Sequence, residues 1–207
     1  MLRRHVLGKF LGLSLFGLLA LSAAPAQAGV NPDDARVLVD SMASEAISTL
    51  SAPDRTDAQI QQKFHAILQS NFDFSGIARF VLGRYWRIAT PEEQAEYLKL
   101  FGDYIVGIYA NRFSQYSGET VSVTGAKPDG EDAIVSTRIN LIRNPQPIAV
   151  DWKVTTGADG KPRVADVIIE QVSMSITQRS EFATIIQNNG GKVEALLAQL
   201  RARAARR

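Results

Sequence analysis

Ile148-Ala149-Val150-Asp151-Trp152-Lys153-Val154-Thr155 alternates without a break: Ile148, Val150, Trp152 and Val154 share one parity, and Ala149, Asp151, Lys153 and Thr155 the other. A period of two over eight residues is a strand with one covered face and one wet face. That pattern belongs to an antiparallel sheet, because a parallel strand buried on both faces reads as a continuous apolar run.

Working outward, Pro128-Asp129-Gly130, Asn144-Pro145 and Gly157-Ala158-Asp159-Gly160 read as turns, so four antiparallel strands in sequence follow Gly118. The second puts Val135, Ile139 and Leu141 together. In the fourth, Val167 and Ile169 lie on one parity and Val172, Met174 and Ile176 on the other. A bulge near Glu170-Gln171 is expected to bring both sets to one side.

The first half is helical. Asn31-Pro32 caps a helix over Asp33–Leu50 that carries Val37, Leu38, Met42, Ile47 and Leu50. A second helix, from Asp57 to Ser70, stacks Ile60, Phe64, Ile67 and Leu68 on one stripe. A short third carries Ile77, Phe80, Val81 and Leu82 and stops at Gly83. Thr90-Pro91-Glu92-Glu93 is a capping box with proline at the first helical position. The helix it opens should run to near Gly118 and be buried on a broad face. Two helices close the chain, one from Ser180 with Phe182, Ile185 and Ile186, the other with Val193, Leu196, Leu197 and Leu200. The fold class is α+β, a four-stranded curved antiparallel sheet with helices packed on one face.

The N-terminus carries Arg3, Arg4 and Lys9, an uncharged apolar run from Phe10 to Leu21, and Ala26-Gln27-Ala28. These are the parts of a secretory signal peptide over residues 1–28, with cleavage expected after Ala28. The general secretory route is expected, with the twin-arginine route as the alternative for Arg3-Arg4. No cysteine is present, so neither a lipid-modified cysteine nor a disulfide framework is available. Removing the signal takes three of 23 basic residues and none of the 21 acidic ones, and the +2 charge becomes about −1. Nucleic acid is therefore not an expected partner. Residues 29–207 form one domain, and the basic residues in 201–207 read as a frayed helix end.

Catalytic motifs are missing. With His5 in the signal, His65 is the one remaining histidine, and without cysteine the usual zinc sets and thiolate nucleophiles have no ligands. No nucleophile elbow, Walker loop or dinucleotide fingerprint occurs. The enzymatic alternative is a buried Asp151 or Asp166 acting as a base, but Asp151 falls on the polar parity of its strand.

Leu82-Gly83-Arg84-Tyr85-Trp86, Thr90-Pro91-Glu92-Glu93-Gln94 and Tyr116-Ser117-Gly118, then Pro147 to Trp152, Val164-Ala165-Asp166-Val167, Val172-Ser173-Met174 and Gln178-Arg179-Ser180-Glu181-Phe182, resemble in order and spacing the MlaC-like family of toluene-tolerance and lipid-asymmetry carriers. Arg163 stands where that family usually has an aromatic, and Gln171 where it usually has glycine. The resemblance implies a monomeric periplasmic phospholipid carrier, not an enzyme and without a cofactor, passing lipid between an outer-membrane lipoprotein complex and an inner-membrane ABC transporter with an MCE-domain component. A carrier of another lipid, such as a hopanoid, is the alternative. It also implies an apolar cavity between sheet and helices, which keeps acyl methylenes, at about 0.8 kcal/mol each, out of water. The candidate walls are Ile139, Leu141, Ile148, Val150, Trp152, Val154, Val167 and Ile169 from the sheet, with Phe101, Tyr104, Ile105, Ile108 and Tyr109 from the long helix. Each is equally a core residue by periodicity, which shows the buried side of an element and not whether that side is filled.

Overall fold

A computed structural model describes residues 29–54, 56–113, 116–142 and 144–205, with backbone alone at 110–113. The expected signal segment and its cleavage point lie outside the described residues. The chain runs α1 (Pro32–Ser51), α2 (Asp57–Asn71), α3 (Phe74–Leu82), a 3-10 turn (Gly83–Arg87), α4 (Pro91–Phe113), β1 (Thr120–Asp129), β2 (Asp132–Asn140), β3 (Ile148–Thr156), β4 (Pro162–Ile169), β5 (Val172–Ser173), α5 (Met174–Asn188) and α6 (Val193–Ala204).

Local chemistry starts the helices where the sequence places them. Asn31 accepts from the Asp33 N–H at 2.9 Å. At Thr90 the N–H donates to Glu93 at 2.9 Å and the hydroxyl accepts from the Glu93 N–H at 3.2 Å, which completes the capping box. Gln94 then donates to the carbonyls of Trp86 and Ala89, tying the 3-10 turn to α4. Tyr116 to Gly118 lie outside the helix, and Ser117 donates from both its N–H and its hydroxyl to Glu119.

The sheet is an antiparallel meander in the order β1-β2-β3-β4-β5. Its fifth strand replaces the expected bulge. Glu170 and Gln171 both have positive φ, 48° and 67°, and two successive left-handed residues reverse a chain rather than offset it. Ile169 therefore pairs with Val172. Val172 and Ile176 are more than half exposed, at 52% and 57%, and are not returned to the covered face. Left-handed backbone costs a non-glycine residue about 1–2 kcal/mol. Here the Glu170 N–H donates to the Ala149 carbonyl and its carboxylate accepts from the Ala149 N–H at 2.6 Å, which offsets part of that cost. Glycine, usual at this position in the family that the sequence resembles, would take this φ without strain.

The same turn moves the start of α5 from Ser180 to Met174. Ser173 caps it through the Ile176 N–H at 3.1 Å, and Asp166 accepts from the Ser175 N–H at 3.1 Å and from the Ser173 hydroxyl. At the far end α6 continues to Ala204, and Arg201, expected in a frayed tail, forms ion pairs with Glu96 at 2.6 Å and Glu194 at 2.7 Å.

Two apolar layers result. In the first, α1 lies on the sheet, with Val30, Ala35 and Val39 closed over Ala133, Val135 and Val154. Its buried stripe is Ala35, Val39, Met42 and Leu50. Val37, expected on that stripe, is 67% exposed, because two residues on from Ala35 it lies about 200° around the helix, on the far side. In the second layer α3, α4, α5 and α6 close around Tyr97, Phe101 and Phe182. The Tyr97 ring stacks on Phe101 at 5.6 Å and meets Phe182 edge-on at 6.2 Å. Its hydroxyl donates to the Ala78 carbonyl at 3.0 Å, and burial pushes its pKa well up, so it stays neutral.

Candidate functional site

Register decides which sheet side chains meet. Ala133, Val135, Thr137 and Ile139 of β2 stand opposite Val154, Trp152, Val150 and Ile148 of β3. Val154, Trp152 and Val150 in turn stand opposite Val164, Val167 and Ile169 of β4, with Ala165 bulged out between them. Ile139, Ile148, Val150, Trp152, Val154, Val167 and Ile169 thus share the helix-facing side of the sheet. Leu141 lies just past β2, half-buried.

Cover over this face is uneven along the strands. Ala133, Val135, Val154 and Val164 are fully buried. Trp152 and Val167 are half-buried and pack against Met42, Ile67 and Val164, where α1 and α2 cross the sheet. Beyond that row Ile139, Leu141, Ile148, Val150 and Ile169 belong to none of the three closed cores, and all but Val150 are half-buried. Thr137 and Val150 are still buried, so the apolar face continues for one residue row, Ile139 and Ile148, about 7 Å along the strand, past its cover.

Among the described residues one buried polar side chain sits on this face. Thr137, 2% exposed, donates to the Val150 carbonyl at 3.0 Å and accepts from Trp152 Nε1 at 3.0 Å. No polar group is left unpaired by it, and the hydrogen bond fixes the indole plane. The sequence reading missed Thr137. Its parity, between Val135 and Ile139, was the available signal.

The long helix does not face the sheet. Phe101 and Tyr104 are buried in the helical core, with Ile105 and Ile108 half-buried against it. Tyr109 reaches instead to Phe64 of α2, ring centroids 6.1 Å apart. Here α1 and α2 cover the sheet and α4 packs behind, with Phe101 and Tyr104 among α3, α5 and α6 and Tyr109 against α2. A cavity of about 20 Å³ lies between α1 and α2, lined by Ala46, Leu50, Ile60, Phe64 and Ile67 among others. That is room for about one water molecule and far too little for an acyl chain.

Asp151 lies on the outward face opposite Ile168, and the Asp166 carboxylate accepts from two backbone N–H groups and the Ser173 hydroxyl. Among the described residues no group of three or more side chains could hold a metal ion, and no helix is long and apolar enough to cross a membrane.

A phospholipid-binding protein from Ralstonia solanacearum, solved in complex with a phospholipid, superposes with a TM-score of 0.71 at 26% identity, over 84% of this chain and 98% of that one. The toluene tolerance protein ttg2D of Pseudomonas putida is 25% identical over 184 residues, 86% of this chain and 85% of its own length. The intermembrane phospholipid transport system binding protein MlaC of Haemophilus influenzae is 25% identical over 138 residues, which is 65% of this chain and 63% of that protein's length. The family model described as MlaC protein matches residues 40–202, and the chain belongs to the MlaC protein family.

Proposed function

We propose that this protein is a periplasmic phospholipid carrier without catalytic activity. It takes acyl chains against the open end of the sheet's inner face and ferries lipid between the outer membrane and an inner-membrane ABC transporter with an MCE-domain component. The observation that carries the reading is the apolar face that outruns its cover. Ile139, Ile148 and Ile169 stand half-exposed beyond the clusters that close over the rest of this face, which Leu38 and Trp152 join. A chain laid there gains about 0.8 kcal/mol for each methylene removed from water. Trp152, held by Thr137, and Val167 form the inner end of that wall. Tyr109 and Phe64 mark the seam through which the α4 residues can be reached when α1 and α2 separate from the helical core. The relatives' phospholipid binding supports the choice of ligand.

The test is to express the whole chain with its N-terminal segment, recover it from the periplasm, pass it through gel filtration and analyse the organic extract by mass spectrometry. One phospholipid per protein, and a mature chain beginning at Gly29, are expected. Recovery of empty protein from lipid-rich cells refutes the carrier, and a co-purified hopanoid in place of phospholipid refutes the ligand. Mixing with the purified transporter and outer-membrane complex should produce binding to both.

A further inference from the structure

Two segments quoted from the sequence play no part in the acyl groove: Leu82 to Trp86, and Gln178 to Phe182. The fold brings them face to face across a cleft of about 200 Å³ between the 3-10 turn and α5. Leu82, Tyr85 and Ala183 line it with apolar surface, and Arg84, Arg179 and Gln187 supply polar groups. The Arg84 guanidinium lies 4.9 Å from the centre of the Tyr85 ring and donates to the Tyr85 hydroxyl at 2.9 Å. Arg179 lies 4.8 Å over the Phe80 ring.

Lys63, Lys153, Arg163 and Arg201 each have a carboxylate partner. Among the described residues Arg84 and Arg179, like Arg79, Arg87, Arg203 and several others, have none within ion-pair distance. A guanidinium held over a ring has further N–H groups left to donate to an oxyanion. From Phe74 to Ala89 the chain carries Arg79, Arg84 and Arg87 and no acidic residue, so the local field attracts anions. Gly83, at φ +60°, borders the cleft, and a Cβ there would come within 3.1 Å of the Arg179 guanidinium. Glycine leaves the space in which that side chain lies.

We propose that this cleft binds a phosphate group, with Arg84 and Arg179 as its charged ligands and Gln187 as a further donor. The phosphate comes either from a phospholipid headgroup or from a soluble phosphate. The proposal does not depend on the acyl groove, since protein that retained no lipid would still bind inorganic phosphate.

The experiment is a titration of lipid-free protein with inorganic phosphate at constant ionic strength, following the backbone amides near Gly83 and the Nε–H resonances of Arg84 and Arg179. Saturable shifts confined to these groups are expected, with none from chloride. R84Q and R179Q should each weaken binding at least tenfold, and R179K, which keeps the charge but loses the planar fork, several-fold. The unaltered protein decides the matter even where R179Q fails to fold. Lipid-loaded protein separates the two sources. If the headgroup fills the cleft, added phosphate no longer binds and the lipid's phosphorus-31 resonance moves in R84Q; if the ligand is soluble phosphate, both forms respond alike and that resonance stays put. Failure of phosphate to saturate the lipid-free protein overturns the proposal. So does a response to polyglutamate alone, which would assign the arginines to the acidic surface of a partner protein.

Discussion

Replacing Thr137 with valine should destabilise the protein through a residue that valine leaves untouched. The side chains are nearly the same shape, and Thr137 is 2% exposed, so no cavity opens. What is lost is the hydroxyl that accepts from Trp152 Nε1 at 3.0 Å and donates to the Val150 carbonyl at 3.0 Å. An indole N–H left without an acceptor beneath α1 costs about 1–3 kcal/mol. The extra methyl returns a fraction of that, and a net loss of about 1.5 kcal/mol is expected. With a urea slope of about 2 kcal/mol/M, the midpoint falls by about 0.7 M. Trp152→Phe removes the donor, so T137V made in that background should be close to neutral, giving a coupling energy of about 1 kcal/mol in the double-mutant cycle. Urea unfolding followed by far-ultraviolet circular dichroism serves all four proteins. Equal midpoint shifts in the two backgrounds would refute the argument, since they would place the cost in the threonine itself and not in its bond to the indole.

Phe182→Ala removes the ring that Tyr97, Phe101 and Tyr104 surround, and calorimetry should register a loss of about 3–5 kcal/mol. Ile148→Glu puts a charge at the open end of the sheet face; co-purified lipid should vanish while the circular dichroism spectrum is unchanged. Asp166→Ala strips the first turn of α5 of two of its bonds and should cost about 1–2 kcal/mol, with faster hydrogen exchange at the Ser175 amide. Glu96 has its pKa lowered, chiefly by the hydrogen bond from Arg201. A carboxylate with a depressed folded value contributes stability above its ordinary pKa of 4.5 and loses it as the pH falls through the folded value. E96Q should therefore be less stable than the parent at pH 6, with the gap closing in acid below that range.

How much of this was legible in the residues follows from what periodicity measures. Strand parity placed Ile148, Val150, Trp152 and Val154 on one face, and the antiparallel register then added Ile139, Val167 and Ile169, because pleating leaves a strand side chain two directions to choose between. Thr90 and Glu93 started α4 as read, since a capping box is satisfied within four residues. The partners of α4 were not readable. A helix apolar on a broad side can pack on a sheet or on other helices, and only the positions of α3, α5 and α6 decided that Phe101 and Tyr104 turn away from the sheet. Nor could the sequence show Glu170 and Gln171 taking left-handed backbone, a conformation paid for by hydrogen bonds to Ala149 on a different strand. Local pattern settled the class of each element and its apolar side. What lay against that side, and where the apolar face ran out of cover, depended on contacts between residues far apart in the chain, which exist only in the folded molecule.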